Sequence, residues 1–376
     1  MVVVGGGLAA SRTCVALRTN GFDGEIVLVG DEAHLPYDRP PLSKAVLHGT
    51  CADTTLPDDL ADLGVQTLLG TAATDLRLDE RVLVTTGGEV GYDGLVIAVG
   101  AAPIRLPGDG EQLTVRTIDD ARVLAERLRP GNRIVVVGAS WIGAEVATAA
   151  RTAGCRVTCV EAARAPAERL FGDAVAQRLL PWWEDIDLRL GAGVDRVEQG
   201  QVVLSDGTSI PAAAVVVGVG VRPNTDWLES SGLELDRGVL VDERLVAAPG
   251  VVAVCDVAAR WSPRWNTRVR NQHWDNASNG PAVAASSLLG DDNDGPIYDP
   301  VPYFWSDQFG HKLQYVGHHA PDDTLEVRDP AAGPGWSACW SDAAGRTTAV
   351  LAVDRPREIA MALRTFATQD AEVSVH

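Results

Sequence analysis

Two glycine turns in this 376-residue chain have the residue types and spacing to hold a pyrophosphate. The first is Gly5-Gly6-Gly7-Leu8-Ala9-Ala10 and the second Gly138-Ala139-Ser140-Trp141-Ile142-Gly143, each a variant of G-x-G-x-x-G/A. In that pattern the first glycine (Gly5, Gly138) makes the tight turn. The middle position (Gly7, Ser140) lets the backbone approach a phosphate, and the last (Ala10, Gly143) keeps helix close to strand. Amides at the helix start, from Leu8 in one case and from Trp141 and Ile142 in the other, then bind the phosphates with help from the helix dipole. Acids follow: Asp31 and Glu32 end one unit and Glu161 the other, 23 to 27 residues beyond the first glycine for Glu161 and Glu32. A carboxylate there accepts bonds from ribose hydroxyls and repels a 2′-phosphate, so Glu161 argues for NAD. Arg164 and Arg169 lie nearby and keep NADP open.

Such turns work only if a buried strand enters them and a helix leaves them. Val2–Val4 and Arg133–Val137 supply the strands, Leu8–Arg18 and Ile142–Ala153 the helices, and Ile26–Val29 and Val157–Val160 the second strands. Val/Ile runs without alternation suit strands covered on both faces of a parallel sheet. The same design thus occurs twice, about 133 residues apart. Further strands are expected at Val82–Thr85, Leu95–Val99, Val202–Leu204 and Ala213–Val219, with a Pro/Gly linker at Pro103–Gly110. The acidic run Gly290–Gly295 predicts a boundary before a last stretch of about 80 residues. The fold class expected is α/β.

Composition narrows the function. A net charge of −19 disfavours nucleic acid and anionic membrane surfaces as partners. The apolar runs are shorter than the roughly 18 to 20 residues of a membrane span, and the N-terminus carries no export signal, so a soluble cytoplasmic protein is expected. Six scattered cysteines (Cys14, Cys51, Cys155, Cys159, Cys255, Cys339) contain no C-x-x-C pair, which argues for reduced thiols and against a metal site. Only Lys44 and Lys312 are lysines among 32 basic residues.

Two dinucleotide units, the first followed by Pro36-Tyr37-Asp38-Arg39-Pro40-Pro41-Leu42-Ser43-Lys44, give a chain that resembles the FAD-dependent, NADH-utilising ferredoxin reductases of bacterial oxygenase and cytochrome monooxygenase systems. The resemblance extends through Val137–Glu145, Gly218-Val219-Gly220-Val221-Arg222-Pro223-Asn224, His273-Trp274-Asp275-Asn276-Ala277 and Tyr303-Phe304-Trp305-Ser306-Asp307-Gln308. It implies an FAD domain (1–108 and 226–296) split by an inserted NAD domain (109–225), then a small α+β C-terminal domain (297–376). It implies hydride transfer from NADH to FAD and single-electron delivery to a [2Fe-2S] ferredoxin. By the same resemblance Arg39, Pro40 and Lys44 contact the flavin, Lys44 pairs with Glu145 as the catalytic couple, and Asp256 binds the ribitol. Ala98, Gly100 and Trp274 belong to the FAD site and Gly220 to the NAD site. The stretch Asp31–Lys44 lacks the cysteine pair of the disulfide-reducing cousins.

Three positions depart from the family pattern. Cys255 stands where the family has glycine, Val99 where it has threonine, and Ser140 in the middle of the NAD turn. An NADH oxidase or diaphorase, or a nucleotide-binding protein with an impaired FAD site, are therefore the alternatives. For the partner, Arg260, Arg264, Arg268 and Arg270 lie in an acid-free stretch with Trp261 and Trp265, the expected ferredoxin dock. A monomer or homodimer is expected.

Overall fold

Uninterrupted β-branched runs have no polar face to give to water, and here they fill the middle of two parallel sheets. The computed structural model describes residues 1–290, 295–329 and 334–373. It comprises two units: Met1–Asp38, Thr54–Ala102 and Arg222–Pro302 in one, Arg39–Asp53, Pro103–Val221 and Tyr303–His376 in the other. The boundary predicted in the acidic run 290–295 falls on residues 291–294, outside the described residues.

In the first unit, Val2–Val4 lies between Ile26–Val29 and Leu95–Ile97, parallel to both, with Val3 opposite Leu28 and Val96. Val65–Leu68 extends the sheet on one side and Val251–Ala253 on the other, and Val246–Ala248 closes that side antiparallel. Strands from distant parts of the chain thus share one sheet. The helices Leu8–Thr19 and Trp274–Leu289 pack together beside it. The strand predicted to run to Val99 stops at Ile97, because the backbone turns at Gly100, where φ is +64°.

In the second unit, four parallel strands run in the order Asp187–Leu190, Arg156–Glu161, Arg133–Val137, Ala214–Val217. The helix Trp141–Thr152 follows the glycine turn. The same unit holds a five-stranded antiparallel sheet, in the order Tyr303–Gln308, His311–Gly317, Thr347–Val353, Trp336–Ser341, Thr324–Arg328, and the helix Pro356–Val373. Phe171, Val175 and Leu179 share a core with Leu313, Tyr315, Trp336, Trp340 and Leu351 of that sheet. Burying each such side chain contributes about 2 kcal/mol, so this core binds the antiparallel sheet to the nucleotide-turn sheet's helices. Trp182 packs against it and stacks on His311 at 4.6 Å, while Trp183 meets Phe309 edge-on at 4.8 Å.

The architecture is α/β, with two Rossmann-like parallel-sheet domains and a C-terminal antiparallel-sheet domain. Among the described residues no helix is long and apolar enough to cross a membrane, and no group of three His, Cys, Asp or Glu could hold a metal ion. All six cysteines are free.

Candidate functional site

The first glycine turn is shaped by backbone crowding. Gly5 has φ +128°, and a Cβ there would sit 2.3 Å from the Ala98 carbonyl oxygen, so no other residue fits. Gly7 caps the helix Leu8–Thr19 without any side-chain bond, and no acid occupies the first turn. Its leading N–H groups are left for an external acceptor, which is what an anion needs. Leu8 and Ala10 are buried in the core. Asp31 is exposed just beyond the strand Ile26–Val29, while Glu32 accepts the Tyr37 hydroxyl. Below the turn, Asn224 fixes the Ala98–Gly100 segment: its Nδ2 donates to the Val99 carbonyl at 2.9 Å and its N–H to the Gly100 carbonyl at 3.1 Å.

Asp256 is buried, and the Cys255 thiol approaches its Oδ1 at 3.3 Å. Cys255 itself has φ +67°, the left-handed region the missing glycine would enter without cost. Trp274 donates from Nε1 to Asp38 Oδ1 at 2.6 Å, and burial pushes the Asp38 carboxyl up from its ordinary value. Burial also holds the neighbouring His273 imidazole down to about 4, against a smaller opposing pull from Asp256.

In the second unit the other turn repeats the device. Gly138 has φ +101° and a Cβ would meet the Gly218 carbonyl at 2.5 Å; a Cβ on Gly143 would lie 1.9 Å from the Gly138 carbonyl. Ser140 caps the helix Trp141–Thr152 through backbone geometry alone, with no side-chain bond and no acid in the first turn. The serine hydroxyl therefore leaves the leading amides available, and this turn fits a pyrophosphate as the first one does. Glu161 is engaged by the turn, accepting from Ala139 N–H at 2.8 Å and from Ala163 N–H at 2.8 Å. A carboxylate has about four acceptor sites, so it retains capacity for a ribose. Trp141 is held edge-on by Phe304 at 4.6 Å and Phe171 at 5.4 Å, beside half-buried Ile142. Gly220 has φ +117°, and its carbonyl accepts from Ile104 N–H at 3.0 Å.

A polar cluster buried near that helix joins residues far apart in sequence. Pro40 and Pro41 start a single wide turn, Leu42–Val46, in which Val46 N–H reaches the Pro41 carbonyl at 3.0 Å. The turn points Lys44 at Glu145, with Nζ 2.9 Å from Oε2 and side-chain exposures of 22% and 3%. Ser43 also donates to Oε2, and Ser306 donates to Oε1 at 2.5 Å. Gln308 Nε2 in turn donates to Ser306 Oγ at 3.0 Å. Arg39 donates to the Arg116 carbonyl. The Lys44–Glu145 pair is thus assembled, while Ser43, Ser306 and Gln308 join it by contacts that the spacing of motifs does not reveal. A lone serine has no period or partner signature in a sequence.

The proposed arginine dock needs a correction. Arg260 is 4% exposed and forms an ion pair with Asp299 at 2.5 Å. Asp299 also accepts from the Ser262 hydroxyl at 2.6 Å and Arg264 N–H at 2.7 Å, so an acid distant in sequence neutralises the acid-free stretch. Arg260 is a structural residue and is removed from the dock. Arg268 is exposed and Arg264 and Arg270 are half-buried. Burial, more than the nearby Arg237, lowers the Arg270 guanidinium from its ordinary value.

Comparison with known proteins follows the same outline. Residues 1–280 match the pyridine nucleotide-disulphide oxidoreductase family and residues 303–376 the reductase C-terminal family. The ferredoxin reductase component of chlorobenzene dioxygenase from Cupriavidus sp. (strain PS12) is 36% identical, over 97% of this chain and 91% of its own length. Putidaredoxin reductase CamA from Pseudomonas putida is 33% identical, over 95% and 89%. Among solved structures, that of Fdr9 is 55% identical with a TM-score of 0.95, covering 98% of this chain and 94% of its own. The covalent putidaredoxin reductase–putidaredoxin complex is 32% identical with a TM-score of 0.88, covering 96% and 91%. With both of its modules matched and full-length relatives above 30% identity, the chain belongs to the pyridine nucleotide-disulphide oxidoreductase family, on its FAD- and NAD-using ferredoxin reductase branch.

Proposed function

We propose that this protein takes a hydride from NADH onto FAD and passes electrons singly to a [2Fe-2S] ferredoxin serving an oxygenase. The observation that carries this reading is the likeness, over nine-tenths of both chains, to the ferredoxin reductase component of a dioxygenase. Bound FAD supplies the conversion between a two-electron hydride and single electrons.

The chain's own residues divide the work. Gly5, Gly7, Leu8 and Ala10 receive the FAD pyrophosphate, Asp31 and Glu32 its ribose, and Asp256 its ribitol. Ala98, Gly100, Trp274, Arg39 and Pro40 complete the FAD contacts. Gly138, Ser140, Trp141, Ile142, Gly143 and Gly220 receive NADH, with Glu161 on the ribose. Lys44 presents positive charge where negative charge arrives with the hydride, and Glu145 keeps it there. Residues 1–108 and 226–296 form the FAD domain, 109–225 the NAD domain and 297–376 the C-terminal domain. Arg264, Arg268 and Arg270 remain the basic face offered to the ferredoxin. Six free thiols suit the reducing cytoplasm as the place of work.

A visible spectrum of the purified protein, followed by anaerobic titration with NADH and with NADPH, tests the first half-reaction. Flavin bands bleached by NADH at low concentration are expected. Ferredoxin-dependent cytochrome reduction much faster than oxygen consumption is expected for the second half. Fast oxygen consumption instead would establish an oxidase, and absent flavin would leave a nucleotide-binding protein.

A further inference from the structure

Glu145 is a buried carboxylate, and its three donors come from two separate stretches of chain, Ser43 and Lys44 on one and Ser306 on the other. Lys44 and Ser43 share Oε2, while Ser306 alone serves Oε1. No other donor reaches Glu145 among the described residues. Ser306 is fully enclosed, at 0% exposure, and Gln308, at 5%, donates to its Oγ. With Oγ accepting from Gln308, the serine's own proton is directed at Oε1. Ser306 lies in the C-terminal module, residues 303–376, whereas Glu145 lies in the module matched over 1–280.

We propose that Ser306, backed by Gln308, is a positioning residue for the Glu145–Lys44 couple, so that the C-terminal module sets the geometry of the reductase's charge pair. A buried carboxylate oxygen stripped of its only donor is costly and turns toward another. Glu145 has one alternative, to rotate Oε1 toward Ser43 or Lys44, and either movement changes the 2.9 Å contact. The inference rests on the proposed role of Lys44 and Glu145 in hydride transfer, and two separate readouts keep the two ideas apart.

The composition of the chain supplies the first readout. Lys44 and Lys312 are its only lysines, and Lys312 is exposed, so it serves as an internal standard. A lysine amine released from its carboxylate partner loses its proton more readily and attacks the acyl carbon of a water-soluble succinimidyl ester, expelling N-hydroxysuccinimide, and peptide mass spectrometry gives the Lys44 to Lys312 acylation ratio on the holoprotein. Ser306→Ala, which only removes atoms, is expected to raise that ratio about tenfold, the scale of one charge-assisted bond. Ser306→Thr keeps the hydroxyl and is expected to stay within about twofold. Ser337→Ala, at a buried serine in the same sheet with two strands between its own and that of Ser306, is expected to leave the ratio unchanged. An unchanged ratio in Ser306→Ala, or an equal rise in Ser337→Ala, overturns the positioning role.

The second readout is the anaerobic rate of flavin bleaching by NADH. Ser306→Ala is expected to slow the limiting rate several-fold with the NADH concentration dependence unchanged, and Ser306→Thr to restore it. A raised acylation ratio with an unaltered limiting rate supports the positioning of Glu145 and overturns the role of the Lys44–Glu145 couple in hydride transfer.

Discussion

Glu161 Oε2 accepts the backbone N–H of Ala139 at 2.8 Å, tying the end of the second strand to the inside of the glycine turn. The carboxylate we propose for the nucleotide's ribose therefore also holds the glycine turn. Glutamine can accept with one oxygen only, so Glu161→Gln loses one of the two backbone bonds and the charge that repels a 2′-phosphate. The ratio of kcat/KM for NADPH to that for NADH is expected to rise about tenfold, or about 1.4 kcal/mol. Anaerobic bleaching with each nucleotide measures it, and a constant ratio would limit Glu161 to the turn.

Cys255 occupies a backbone conformation, φ +67°, that costs an L-residue about 1 to 2 kcal/mol. Glycine removes that strain and the Sγ that sits 3.3 Å from Asp256 Oδ1. Cys255→Gly is expected to stabilise the holoprotein by about 1 kcal/mol after glycine's greater unfolded-state entropy is subtracted. It should also slow flavin release. Denaturant unfolding followed by tryptophan and flavin fluorescence gives both values, and a lower midpoint in the variant would mean that the thiol contact outweighs the strain.

What could be read from the chain alone follows from the range of each interaction. Val2–Val4 and Arg133–Val137 were legible because apolar runs and glycine turns are local patterns, with every determinant within about thirty residues. The Lys44–Glu145 pair spans 101 residues, and it was reached through resemblance, not spacing. Ser306 lies 161 residues from Glu145 in a segment marked only by resemblance and carries no periodic or charged signal, so only folding reveals its contact with Glu145. Arg260 failed in the opposite direction. Its local stretch contains no acid, yet Asp299, 39 residues on, folds back to neutralise it. Charge counted along a sequence window measures the chain, while docking depends on what the fold leaves exposed.

That difference predicts two distinct arginine phenotypes. Arg260→Ala leaves the mostly enclosed Asp299 without its ion partner and is expected to cost about 3 kcal/mol of stability, with the ferredoxin KM of the folded protein unchanged. Arg268 is exposed, and its Nη1 donates to the Val241 and Ala259 carbonyls at 2.8 and 3.0 Å. Arg268→Gln retains an amide donor and removes the charge. The ferredoxin KM is expected to rise several-fold and lose salt dependence while ferricyanide reduction is spared. Steady-state assays at two ionic strengths decide, and an unchanged KM would place the dock elsewhere.

His273 makes the stability of the protein depend on pH. Burial holds its imidazole down to about 4, below the ordinary value of 6.5 that it regains on unfolding. Between those values the unfolded chain binds the proton and the folded chain does not, so stability rises with pH across that window and is lost as pH falls from 6.5 toward 4. The loss attributable to this one group approaches about 3 kcal/mol at the lower end. His273→Gln has no proton to gain, so its stability should fall by about that much less than the wild type's between pH 7 and pH 4. Carboxylates elsewhere titrate in both proteins and cancel in the difference. Urea unfolding of the two proteins at a series of pH values provides the test, and parallel pH profiles would mean that the folded imidazole takes up its proton as readily as the unfolded one.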